Sequence, residues 1–149
     1  MASPGRVLGL DLGDVRIGVA ISDPDRLLAV PFGTVYVGRP PGELRAIADI
    51  AREHDVALIV LGEPVSMDGT RGTRAEHAAA FATALASATD APIVLQDERL
   101  STVEAERNLR SVGVRGQNQR RVVDAAAAQI ILQAWLDAQP GSHADPAWD

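Results

Sequence analysis

At 149 residues the chain is long enough for one domain with a buried core and too short for two ordinary ones. A hydrophobic fraction of 46% and a charged fraction of 23% fit a globular protein, and the absence of cysteine excludes a disulfide framework and thiolate chemistry. The net charge of −6 argues against a surface that grips nucleic acid all over; no apolar run approaches the ~18 residues of a membrane span, and no leader pattern precedes the first strand, so a cytoplasmic protein with no membrane partner is expected.

Charge is unevenly placed. All 14 basic residues are arginine, and Arg99, Arg107, Arg110, Arg115, Arg120 and Arg121 crowd one segment against only Glu104 and Glu106. That segment is +4 and the rest of the chain −10. Arginine pairs bidentately with phosphate, so the segment is a candidate nucleic-acid-binding patch, a solvated helix face being the plainer alternative.

In chain order, residues 7–23 read as strand, tight turn and strand, with Gly13-Asp14 as the turn signal. A third strand, broken or bulged at Pro31, lies within residues 26–37 and suits an edge position. Pro41 fits the first turn of a helix carrying Leu44, Ile47, Ala48 and Ala51 on one face and ending near His54-Asp55. The run 57–61 is apolar throughout, as in a strand covered on both faces. Residues 62–72 have loop chemistry. Thr73 and Glu76 form a capping-box pattern ahead of an alanine-rich helix reaching Ala88, and residues 93–96 form another buried strand.

Ser101 and Glu104 open a short helix to Arg110, and a basic glycine-containing loop covers 112–118. The last helix spans about 119–138 and carries a polar stripe of Gln129, Gln133 and Asp137. At ~100° per residue Asp124 stands opposite that stripe, on the inward face beside Ala127, Ala128 and Ile131. Residues 139–149 read as a flexible tail on a domain spanning 1–138. The order of elements implies an α/β fold with a mixed sheet and helices on both faces.

Three acids stand out. Asp11 ends the first apolar strand, where it is either a turn cap or a ligand; Glu98 follows the last strand; Asp124 points inward. These positions can converge at one sheet edge, and three hard oxygen donors suit Mg²⁺ or Mn²⁺ acting on a phosphodiester. His54, His77 and His143 lack ligand spacing and read as surface residues.

Four blocks together resemble the YqgF/RuvX family: Gly9-Leu10-Asp11-Leu12-Gly13 with Ile17-Gly18-Val19-Ala20, the loop from Gly62 through Pro64 to Met67-Asp68-Gly69-Thr70, residues 97–105, and residues 123–133. The resemblance covers about Val7 to Asp137 and implies a five-stranded RNase H-like fold. It also implies that Asp11, Glu98 and Asp124 are the metal-binding catalytic acids. The substrate would be structured RNA, at the 5′ end of pre-16S ribosomal RNA, or branched DNA at a four-way junction. The enzyme would be a monomer or homodimer, and Pro64, Met67, Asp68, Gly69 and Thr70 would form a substrate loop.

The family loop usually reads Gly-Leu-Pro. Here Glu63 replaces the leucine, either as an outer metal ligand or, as preferred, pointing to solvent. A non-catalytic RNA-binding assembly or transcription factor is the alternative of another class. An actin-like ATPase half is disfavoured, since 149 residues leave no second domain to enclose a nucleotide.

Overall fold

A computed structural model describes residues 3–63, 72–97 and 117–140. Five strands form one sheet in the order β3-β2-β1-β4-β5: β1 (Arg6–Leu12), β2 (Arg16–Ser22), β3 (Ala29–Tyr36), β4 (Val56–Glu63) and β5 (Ile93–Asp97). The helices are α1 (Glu43–Glu53), α2 (Thr73–Ala86) and α3 (Gln117–Ala138). β1 and β2 pair antiparallel, as do β2 and β3, while β4 runs parallel to both β1 and β5. The sheet is therefore mixed: a hairpin meander on one side and crossover connections through helices on the other.

Alternation along the strands divides the core into two layers. Leu8, Leu10, Ile17, Val19, Ile21, Ile59 and Leu61 face α1 and α2, where Ile47, Ala51, Ala78, Phe81 and Leu85 meet them. Val7, Ala20 and Val60 face α3, against Ala127, Ala128, Ile131, Leu132 and Leu136. Each layer removes a full apolar face from water, worth about 25 cal/mol per Å² of buried area. The alanines of α3 let the helix lie close to the sheet. A Cβ on Gly9 of β1 would stand 2.6 Å from Leu132 Cβ, so no side chain fits there.

Several boundaries differ from the sequence reading. Gly62 and Glu63 belong to β4, not to the following loop. Pro41 precedes α1, whose N-cap is Gly42 at φ 106°, a conformation a proline ring cannot reach. Thr73 is the first helical residue of α2 rather than its cap; Gly72 takes the cap position and no side chain caps the helix. β3 is the edge strand expected, and its register slips opposite Val19 and Ala20, beside Pro31. The ring of His54 packs edge-on to Phe32 with centroids 5.1 Å apart, so His54 is half-buried rather than a free surface residue.

The glutamine stripe of α3 does not face away from the sheet. Gln133 Oε1 accepts the Ala29 N–H at 2.8 Å, Gln133 Nε2 donates to the Leu27 carbonyl at 3.1 Å, and Gln129 Nε2 donates to the Ala29 carbonyl at 2.9 Å. The helix lies across β2 and the edge strand, so both Asp124 and the stripe meet the sheet at opposite flanks of its buried face. The predicted helix 102–110 and the tail from 141 lie outside the described residues.

Candidate functional site

Asp11 is the penultimate residue of β1, in the middle strand of the sheet. Leu8 and Leu10 fill the layer under α1 and α2, so alternation turns Asp11 to the α3 face. Only 6% of its surface is exposed. Its direct cross-strand partner is Gly18 of β2, which therefore shares that face.

Gly18 is where α3 touches down. A Cβ there would stand 2.5 Å from the carbonyl carbon of Asp124 and closer still to its oxygen. Backbone thus lies on backbone, and the absent side chain lets Asp124 of α3 sit against the strand position that pairs with Asp11. The Asp124 carboxylate is held from below: Arg16 Nε donates to its Oδ2 at 2.6 Å, and the pair is largely screened from water, with 26% and 17% of the two side chains exposed. Arg16 and Gly18 lie two residues apart on β2, so one strand supplies both the gap for the helix and the counter-charge for its acid.

At the same sheet edge, β4 ends in Gly62 and Glu63 and β5 in Gln96 and Asp97, paired in register. Gln96 is buried and shares the α3 face with Val94. Glu63 is 5% exposed, which overturns its expected solvent orientation: as the last residue of β4 it faces the α1 and α2 side, opposite Asp11, paired with Asp97. Beside the β1–β2 turn a cleft of about 330 Å³ is lined by Leu12, Gly13, Asp14, Thr73, Arg74 and His77, and the last two are exposed.

Of the three acids singled out, Asp11 turns to the α3 face of the sheet and Asp124 lies on α3 over Gly18, the cross-strand partner of Asp11. Glu98 lies outside the described residues, as do Arg99, Arg107, Arg110, Arg115 and the loop residues Pro64, Met67, Asp68, Gly69 and Thr70. Arg120 and Arg121 fall in the first turns of α3. Among the described residues no cluster of three or more acidic, histidine or cysteine side chains forms a metal cage. The donor chemistry of Asp11, near the end of β1, and of Asp124, on α3, nonetheless fits a hard divalent cation that keeps part of its water shell. Arg16 was not foreseen as a site residue. An arginine opening a strand ordinarily reads as solvated surface, and the one available signal was its place two residues before Gly18.

Comparisons with known proteins bear on the family and the fold. The family model described as "RuvX: Holliday junction resolvase" matches residues 5–138. A protein of Mycobacterium ulcerans (strain Agy99) named "Putative pre-16S rRNA nuclease" is 46% identical over 145 residues, 95% of this chain and 85% of the relative. One of the same name from Anaeromyxobacter dehalogenans (strain 2CP-C) is 48% identical over 132 residues, 89% of this chain and 96% of the relative. Among solved structures, T. thermophilus RuvC in complex with a Holliday junction substrate superposes with a TM-score of 0.57 at 16% identity, over 93% of this chain and 97% of that one. At that identity the likeness speaks for the fold alone, and it identifies the mixed five-stranded sheet as RNase H-like. The helices on both faces of the sheet and the match over nearly the whole length lead to one assignment: the chain belongs to the RuvX family.

Proposed function

We propose that this chain is a divalent-cation-dependent nuclease that hydrolyses phosphodiester bonds of structured RNA, in maturation of the 5′ end of pre-16S ribosomal RNA. The observation that carries the proposal is the placement of two inward carboxylates, Asp11 and Asp124, on one sheet face across Gly18. The names of relatives 46% and 48% identical support the RNA substrate. Glu98, which follows the end of β5 in the sequence, is proposed as the third acid on the family resemblance of residues 97–105. Residues 1–138 would form the nuclease domain and 139–149 an appended tail.

Asp11, Glu98 and Asp124 would hold Mg²⁺ or Mn²⁺. Such an ion supplies Lewis acidity and a water of lowered pKa. The protein's own part is positional. Asp11 is fixed by the sheet and by burial, Asp124 by the helix seated on Gly18 and by Arg16. Arg99, Arg107, Arg110, Arg115, Arg120 and Arg121 would hold backbone phosphates, with Arg74 and His77 at the cleft beside the turn, and Pro64, Met67, Asp68, Gly69 and Thr70 would contact the bound strand. Hydrolysis would leave 5′-phosphate and 3′-hydroxyl ends.

A second reading is favoured by the family description and by the RuvC-like fold: cleavage of four-way DNA junctions. Two coordinated cuts would then require a dimer. The test is a cleavage assay with precursor RNA and junction DNA in parallel, with sedimentation to read the assembly state. Asp11→Asn is expected to abolish Mn²⁺-dependent cleavage of RNA while leaving the circular dichroism spectrum unchanged. Full activity in that variant refutes the role of the acid; cutting of junction DNA alone transfers the proposal to the second reading. RNA binding without turnover in the wild type indicates a non-catalytic binding protein.

A further inference from the structure

The Arg16–Asp124 pair is more than a surface ion pair. It joins residues 108 positions apart, it is largely screened from water, and it sits on the face where Asp11 is buried. Nε reaches Oδ2, and among the described residues Oδ1 of Asp124 accepts no hydrogen bond. One carboxylate oxygen is therefore anchored and the other left to a further partner.

We propose that Arg16 is a resident counter-ion of the acid pair: it holds Asp124 when no cation is bound, and it competes with the cation for that carboxylate when one is. The inference rests on the cation-binding reading above. Two carboxylates on one face of the sheet, both beside Gly18, repel each other, and the guanidinium bonded to one of them offsets that repulsion. A cation bound to Asp124 brings a second positive charge to a carboxylate that already has one. Deleting Arg16 thus has two opposed effects on cation binding: freeing the Asp124 rotamer weakens it, and removing a like charge strengthens it. In a partly desolvated site the charge effect is the larger, because unit charges sharing a carboxylate interact more strongly than the freezing of one short side chain costs. Arg16 is accordingly a positioning residue that trades cation affinity for a defined Asp124 geometry.

The experiment is calorimetric titration of the full chain with Mn²⁺, comparing wild type, R16M, R16K and D11N, with thermal melts at zero and saturating Mn²⁺. R16M is expected to bind Mn²⁺ about tenfold more tightly than wild type, and R16K, which keeps the charge, to stay within about threefold of it. The R16M melt should fall below wild type without Mn²⁺ and approach it when saturated. Equal or weaker Mn²⁺ binding by R16M overturns the proposal, since a purely structural ion pair would produce that result. If R16M does not fold, R16Q gives the same comparison. Failure of the cation reading looks different: no Mn²⁺ binding by wild type or any variant overturns both, whereas binding by wild type that D11N abolishes and R16M leaves unchanged overturns only the role of Arg16.

Discussion

Gly18→Ala is the most informative single change in this fold. The added Cβ would lie 2.5 Å from the Asp124 carbonyl carbon and 3.3 Å from the Ala125 nitrogen. Ordinary contact between carbons is about 3.5 Å, so α3 must retreat by roughly 1 Å at that point. The obstacle is helix backbone, which cannot rotate away as a side chain would. Overpacking costs about 1–3 kcal/mol, and a backbone obstacle places this change near 3. For a chain of this length that is a fall in Tm of roughly 6–12 °C.

The same displacement carries Asp124 away from Arg16, and on the role proposed for Asp124 a misplacement of about 1 Å costs on the order of 10²-fold in rate. Urea denaturation followed by circular dichroism reads the first effect, with a steady-state cleavage assay for the second. Gly33→Ala in β3 is the control, because a Cβ there meets nothing within 4 Å. Its stability should stay within about 0.5 kcal/mol of wild type. If Gly18→Ala were as stable as Gly33→Ala, the close seating of α3 on β2 would be wrong, and with it the juxtaposition of the two acids.

Other outcomes follow from single contacts. Gln133→Leu leaves the buried Ala29 N–H without its acceptor and should destabilise the chain by about 1–3 kcal/mol, with faster amide exchange at Ala29 in β3. Asp23 accepts the N–H groups of Leu27 and Leu28 at 2.8 Å and of Asp25 at 3.1 Å. Burial pushes its carboxyl up, but these bonds and one to its own N–H together hold it below the ordinary value. A depressed carboxyl stabilises the fold above the unfolded pKa of about 3.9, and that contribution disappears as pH falls through the folded value. The stability gap between wild type and Asp23→Asn should therefore be constant at neutral pH and close below about pH 4, as read by urea denaturation across a pH series.

Much of the fold was legible because burial leaves a pattern. Ile59, Val60 and Leu61 form an unbroken apolar run since both faces of β4 are covered, and all three are fully buried. Asp11 and Asp124 stood out because a carboxylate amid apolar neighbours calls for a compensating partner. What was not legible depends on contacts across the sheet. Arg16 meets Asp124 only after α3 docks, and nothing local marks it. Glu63 looked like loop because Gly62 and Pro64 flank it, yet strand pairing to β5 extends through it. The amide stripe of α3 looked like a water-facing flank; it meets an edge strand with backbone groups to satisfy, which no helical wheel contains. Thr73 matched a capping pattern by composition, but Gly72 was free to take the position.

The placement of α3 also has a consequence for how the molecule comes into being. Asp124 leaves the ribosome more than a hundred residues after Asp11, on the helix that also covers Val7, Ala20 and Val60. A nascent chain that stops short of α3 has an open apolar sheet face and only one of the two facing acids. Docking of α3 therefore conceals that face and seats Asp124 over Gly18 in one event, and a partial product of translation that lacks α3 is left with exposed apolar surface prone to association.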